Sequence, residues 1–210
     1  SSSFRLWFCL GISNFKMVNE DSDMLQLDLD LWLNQDLIKR QNKLKSEFLF
    51  LLESIGNHFE NELLKSIHPQ SKGKKVSKGN DLLGFPYQVL DLIRDFSPES
   101  GVNIRCLSWF GHGLYLFLIL GNNNSYRNKA LLESGFSFSL SESPWDYPEM
   151  ILEKKKTDKL TEIPDSKNGL KVWLKSIPLK SDFQVNLNMI TIEIKKVAEI
   201  LRSSLESKKE

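Results

Sequence analysis

Cysteine is nearly absent, with Cys9 and Cys106 standing far apart as the two among 210 residues. That excludes a disulfide scaffold, and two unpaired thiols fit a reducing compartment, so a cytoplasmic setting is expected. Long apolar runs are missing too. The longest, Leu114 to Leu120, has seven residues, far short of the roughly 20 a membrane span requires. Glycine and proline, 11 and 7 in number, are too few for a fibrous chain, and the 40% hydrophobic content is too high for a disordered one. Nor does either sign of charge prevail. With 28 basic and 27 acidic side chains the net charge is +1, so no global field draws the chain to nucleic acid or anionic lipid.

The usual signatures of chemistry are also lacking. His58, His68 and His112 and the two cysteines show no C-x-x-C or H-x-x-x-H spacing, so neither a metal nor another cofactor is implied. Gly73-Lys74-Lys75 lacks the upstream glycine and downstream Ser/Thr of a phosphate-binding loop, and no G-x-G-x-x-G occurs. Cys106, Ser108 and His112 lie close together, but strand spacing puts Cys106 on a face with Val102, Ile104 and Phe110, where a thiol is a core residue. Ser108 has no G-x-S-x-G elbow to present it.

What is present is periodicity. Leu37, Leu44, Phe48, Leu51, Leu52, Ile55, Phe59, Leu63 and Ile67 recur at helical intervals, predicting one long helix from about Asn34 that Pro69 stops. Phe183, Leu187, Ile190, Ile194, Val197, Leu201 and Leu205 predict a second, with Ser181 and Gln184 as its capping box. Between them the text reads as strands: Tyr87 to Ile93, Val102 to Phe110, Leu114 to Leu120, Phe136 to Leu140 and Leu170 to Ser176, plus a short helix near Arg127 to Glu133. Short turns, including Ser97 to Gly101 and Gly111-His112-Gly113, favour antiparallel neighbours. The expected fold class is α+β: an antiparallel sheet of about five strands, with the long N- and C-terminal amphipathic helices on one face in two layers. Residues 1–33 read as a lead-in, 34–206 as a single domain and 207–210 as a frayed tail. Leu6 to Ile12 superficially resembles a signal-peptide core, and Met17 opens a more ordinary beginning. Asn123-Asn124-Ser125 is read as a polar turn, and Lys154 to Ser166 as a mobile, charged excursion.

Two clusters of lysine, Lys72, Lys74, Lys75 and Lys78, then Lys154, Lys155, Lys156 and Lys159, could touch phosphates, but solvated loops explain them as well. The sharpest enzymatic alternative is a Mg-dependent nuclease, because Pro164-Asp165 precedes Glu193-Ile194-Lys195. That chemistry needs Glu193 and Lys195 on one side of a strand, and the periodicity puts them in a helix, about 200° apart.

The segment Val76 to Tyr115 sets polar residues among large apolar ones. It runs Ser77-Lys78-Gly79, Gly84-Phe85-Pro86-Tyr87, Leu90-Asp91, Arg94-Asp95-Phe96, Arg105 and Trp109-Phe110-Gly111-His112. In that order these residues resemble an uncharacterised family of bacterial hypothetical proteins, Bacteroidetes in type and of about this length. Phe110 stands where that pattern has a second tryptophan. The resemblance implies a bacterial cytoplasmic domain and carries no activity with it. The residues themselves nominate a ligand site at Lys78, Tyr87, Asp91, Arg94, Arg105, Trp109 and His112. Asp91 is expected to pair with Arg94 or Arg105, Trp109 to stack on a planar ligand, and His112 either to approach that ligand or simply to stand exposed in the turn. The leading expectation is a binding or interaction module, with a protein partner or a second copy of the chain and neither nucleic acid nor membrane. The alternative is an enzyme with a small site near Asp91, Arg105 and His112.

Overall fold

A computed structural model describes residues 26–123, 128–164 and 169–206, with side chains to 202. Internal contacts divide the chain into two units, Ser1–Lys39 and Arg40–Glu210. The described part of the first holds a short helix, α1 (Leu29–Trp32), and the first residues of the next helix; α1 is capped by the Asp28 carboxylate, which accepts from the Leu31 amide at 2.9 Å. Residues 1–25 of the lead-in, with the signal-like stretch and Met17, Asn124 and Ser125 of the expected polar turn and the tail 207–210 lie outside the described residues.

The predicted N-terminal helix forms but breaks. Helix α2 (Gln35–Asn57) ends in a tight turn and α3 (Asn61–Ile67) resumes after Glu60. Gly56 and Asn57 are poor helix formers. The turn lets Phe59 be buried completely, which stabilises by about 1.5–3 kcal/mol and offsets the lost helical bonds. Lys74 secures the break: its ammonium donates to the carbonyls of Gly56 and Phe59, both at 2.9 Å. The carbonyls that end a helix have no partner within it, so a lysine is a natural cap there.

The sheet has seven strands rather than about five: β1 (Lys75–Leu82), β2 (Phe85–Asp91), β3 (Val102–Trp109), β4 (Gly113–Leu120), β5 (Ser137–Ser139), β6 (Lys156–Thr157) and β7 (Lys171–Ile177). Its order is β1-β2-β3-β4-β7-β5-β6, antiparallel throughout. The two unforeseen strands are the edges. β1 takes up part of the first lysine cluster, and lysines on an edge discourage pairing with a foreign strand. β6 falls in the segment expected to be mobile, which also holds a 3-10 turn at Leu160–Glu162. The β1–β2 hairpin turns on Leu83 and Gly84, both with positive φ (53° and 81°). That is the two-residue turn whose twist matches the strands, and Leu83 is an uncommon residue for it.

Helix α4 (Asn128–Glu133) matches the short helix expected there, and the C-terminal helix, α6 (Phe183–Glu206), is continuous. Its cap is Asp182, whose carboxylate accepts from the Val185 amide at 2.8 Å, and not the Ser181 box. Gln184 instead donates to Asn188.

Each face of the sheet carries a core. On one, Leu52, Ile55 and Phe59 from α2 and the turn after it, Leu64 from α3, and Ile190, Ile194 and Val197 from α6 pack on Leu90, Ile104, Cys106, Leu116 and Leu118. The other face is not bare, as a two-layer plan would leave it. Val89, Leu107, Phe117, Ile119, Val172 and Leu174 are covered there by Tyr147 and Met150 of a short helix, α5 (Tyr147–Ile151). This explains the uninterrupted apolar run of β4, a central strand buried on both sides. Among the described residues no helix is long and apolar enough to cross a membrane.

Candidate functional site

The seven residues nominated from the sequence do not converge. The fold sends them to four places. Tyr87 pairs with Trp109 and Asp91 with Arg105 across β2 and β3, all four on the face covered by α5. Lys78 pairs with Gln88 and so lies on the helix-covered face. His112 sits in the β3–β4 turn, and Arg94 follows β2 with φ +65°.

The expected ion pair forms, and Arg105 is the partner. Its Nε donates to Asp91 Oδ1 at 2.6 Å and its Nη2 to Oδ2 at 2.8 Å, a two-pronged geometry that fits the guanidinium fork. Asn103 donates to the same Oδ1 at 2.7 Å and accepts the Arg94 amide at 2.9 Å. The remaining guanidinium nitrogen donates to the Tyr147 hydroxyl. Phe96, Trp145 and Tyr147 surround the cation, with ring centroids 5.5–5.9 Å from its carbon. Burial alone would lower the Arg105 pKa, but the Asp91 and Tyr147 contacts outweigh it and hold the guanidinium charged. For Tyr147 burial dominates and raises the pKa, and Arg105 only partly offsets this. The arrangement braces the sheet against the α5 segment. Both charges are committed, so neither is placed to take a proton from a substrate.

Trp109 does not present a stacking surface. It is 1% exposed, and its indole donates to the Leu82 carbonyl at 3.1 Å. His112 is partly buried rather than exposed in the turn, with its ring 3.9 Å from that of Trp109 and 4.7 Å from that of Phe85. Its Nε2 is buried without a partner. Trp109 lies four positions beyond Arg105 on β3, about 13 Å along the strand, so the imidazole beside it does not meet the Asp91–Arg105 pair.

The nuclease constellation fares similarly. Glu193 and Lys195 are on α6. Glu193 accepts from Lys175 of β7 at 2.5 Å and from Lys196 at 2.8 Å, while Lys195 is exposed; Asp165 lies outside the described residues. Burial pushes the Glu193 carboxyl upward, but the two lysines prevail and its pKa is lowered. His68, just beyond the end of α3, meets the buried Asp95 carboxylate at 2.6 Å. No group of three His, Cys, Asp or Glu able to hold a metal occurs among the described residues.

Two of the concavities lie on opposite flanks of the first half of α2. The first lies between α2 and the start of α6. It encloses about 330 Å³ and is lined by Leu44, Phe48, Leu51, Leu179 and Phe183, with Glu47, Lys180 and Asn186 at its margin. Beside it Phe50, 60% exposed, stacks on Phe183 with centroids 5.4 Å apart. Leu44 and Val185 are exposed as well. The stripe on α2 is therefore fully covered only in its second half: from Leu51 onward it is core, Phe48 is half-buried against that core, and Leu37 and Leu44 are exposed.

The second lies between α2, the β1–β2 hairpin and Phe110 at the end of β3. It encloses about 270 Å³ and is lined by Lys45, Ser46, Leu49, Lys78, Pro86 and Gln88 among others. Gln88 was missed from sequence. It is 4% exposed; its Nε2 donates to the Lys45 carbonyl at 2.8 Å, and its Oε1 is buried without a donor. Such an orphaned acceptor costs about 1–3 kcal/mol and calls for an explanation. A scan against family models and searches of curated proteins and solved structures find no match.

Proposed function

We propose that this protein is an interaction module. Its working surface is the apolar cleft between α2 and α6, and the surface it meets is the same cleft of a second copy. The observation that carries this is the uncovered half of the α2 stripe, where Leu44 and the stacked Phe50 and Phe183 face solvent beside a hollow able to receive them. Helices leave such apolar side chains exposed at a cost unless something covers them.

A second copy fits because the surface complements itself. Protruding aromatic rings and the hollow lie side by side, so a two-fold axis inserts each copy's rings into its partner's cleft. The margin carries both signs in adjacent positions. Lys43 and Glu47 form a solvent-exposed pair at 3.6 Å on α2, and Lys180 precedes Asp182 at the start of α6. Antiparallel crossing of two α2 helices lets each Lys43 approach the partner's Glu47.

Charge reversal tests that pairing. Lys43→Glu alone and Glu47→Lys alone are expected to weaken the dimer about 3- to 10-fold each, through like charges across the axis. Mixing the two variants restores it in a heterodimer, read by light scattering coupled to size exclusion. Equal self-association in all three samples would remove the two-fold arrangement.

A further inference from the structure

We propose that the cleft between α2, the β1–β2 hairpin and Phe110 binds a small organic anion that also carries an N–H or O–H donor. This site lies on the other flank of α2 from the dimer surface and does not depend on it. Three features of its lining point to that chemistry. Lys45 and Lys78 both line the cleft and no carboxylate does, so it favours an anion. Leu49, Pro86 and Phe110 make an apolar wall, so the anion has a hydrocarbon or ring body. Gln88 Oε1 is a buried acceptor with no donor, so the ligand supplies one.

The Gln88 amide cannot resolve its own deficit. Turning it over would give Oε1 no donor at the Lys45 carbonyl and would set two oxygens against each other, because Nε2 now donates there. The helix thus fixes the orientation in which the acceptor is left over. Gln88 lies on β2 opposite Lys78 in the register of β1 and β2, so one strand pair presents the acceptor and a cation together. Lys45 brings the other cation from α2, and its backbone carbonyl holds the amide. With about 270 Å³ the cleft is slightly below the usual range of small-molecule sites, which suits a body of one ring.

Titration of the ¹⁵N-labelled protein followed by NMR tests this, with 4-aminobenzoate as the probe joining carboxylate, ring and N–H donor. Benzoate, lacking the donor, and inorganic phosphate, lacking the ring, are the controls. Saturable shifts are expected at the Gln88 side-chain amide and at the backbone of Lys78 and Ser46 below about 10 mM, the weak end for one ring. Benzoate should bind at least about 5-fold more weakly, and phosphate more weakly still. Lys78→Glu, at an exposed position that leaves the core untouched, should reduce 4-aminobenzoate affinity about 10-fold or more. Gln88→Leu should abolish the preference of 4-aminobenzoate over benzoate. The absence of saturable shifts with 4-aminobenzoate would overturn the proposal, as would Lys78→Glu binding like wild type or equal affinity for benzoate and 4-aminobenzoate.

Discussion

At the scale of single residues the energetics concentrate in a few buried polar groups. Asp91 and Arg105 are each less than 15% exposed in their side chains, so removing one partner leaves the other charged in a place water hardly reaches. Asp91→Leu alone is therefore expected to lower stability by about 3–5 kcal/mol, whereas Asp91→Leu combined with Arg105→Met costs less than the sum of its parts. Urea unfolding of the four proteins in a double-mutant cycle measures this. Cys106 is fully buried in the helix-covered core, and burial pushes its thiol up to about 12, with the nearby Asp91 charge adding to the effect. The native state then keeps a proton that the unfolded chain releases at about pH 8.5–9. Stability is expected to fall as pH rises from about 9 toward 12, by at most about 1.4 kcal/mol per unit from this group. In Cys106→Ala that part of the decline is absent, which stability curves taken at successive alkaline pH values check. A decline equally steep in the variant would contradict it. The core placement of this thiol and its sheet-face ion pair neighbour were both readable in the text, because strand alternation assigns a face to every residue. Gln88 was equally readable and was passed over. It shares its face with Leu90 and Leu92, and a glutamine on an apolar face signals a committed amide.

At the scale of elements, periodicity located what is long and buried. Helix α6, the later half of α2 and strands β2, β3, β4 and β7 lie where alternation or helical spacing put them, within a residue or two. The break after Asn57 escaped notice because Phe59 and Leu63 continue the helical interval across it; the stripe survives while the backbone does not. β1 escaped because an edge strand buries little. Of Lys75-Val76-Ser77-Lys78-Gly79-Asn80-Asp81-Leu82 only Val76 and Leu82 are large and apolar, so no alternation announces it. The α5 cover over the second face escaped because five residues are too few for a period to show. Lys74 joins the two unforeseen features, reaching back from just before β1 to cap the α2 break. Lys74→Met should remove both bonds and lower stability by about 1.5–3 kcal/mol, since donors to terminal carbonyls that carry charge are the stronger kind. A thermal melt reads this as a drop in Tm of several degrees, and an unchanged melt would mean that solvent replaces the lysine without loss.

At the scale of the whole molecule, two cores on opposite faces of one sheet leave apolar side chains exposed along the first half of α2 and the start of α6. The nominated ligand residues scattered because the strand pairing that unites Asp91 with Arg105 also separates them from His112 and turns Lys78 to the opposite face. Alternation shows which residues of one recognised strand share a face, but not which strands pair or in what register, and Lys78 lies on a strand that no alternation announces. The proposed self-association rests on the apolar side chains that the helices leave exposed, and sedimentation equilibrium over a range from about 1 to 300 μM tests it most directly. A reversible monomer–dimer equilibrium is expected in the wild type, shifted at least about 10-fold toward monomer in Phe50→Glu and in Phe183→Glu, with helix content unchanged. A wild-type protein that stays monomeric across that range would contradict it, and so would a dimer that both glutamates leave intact.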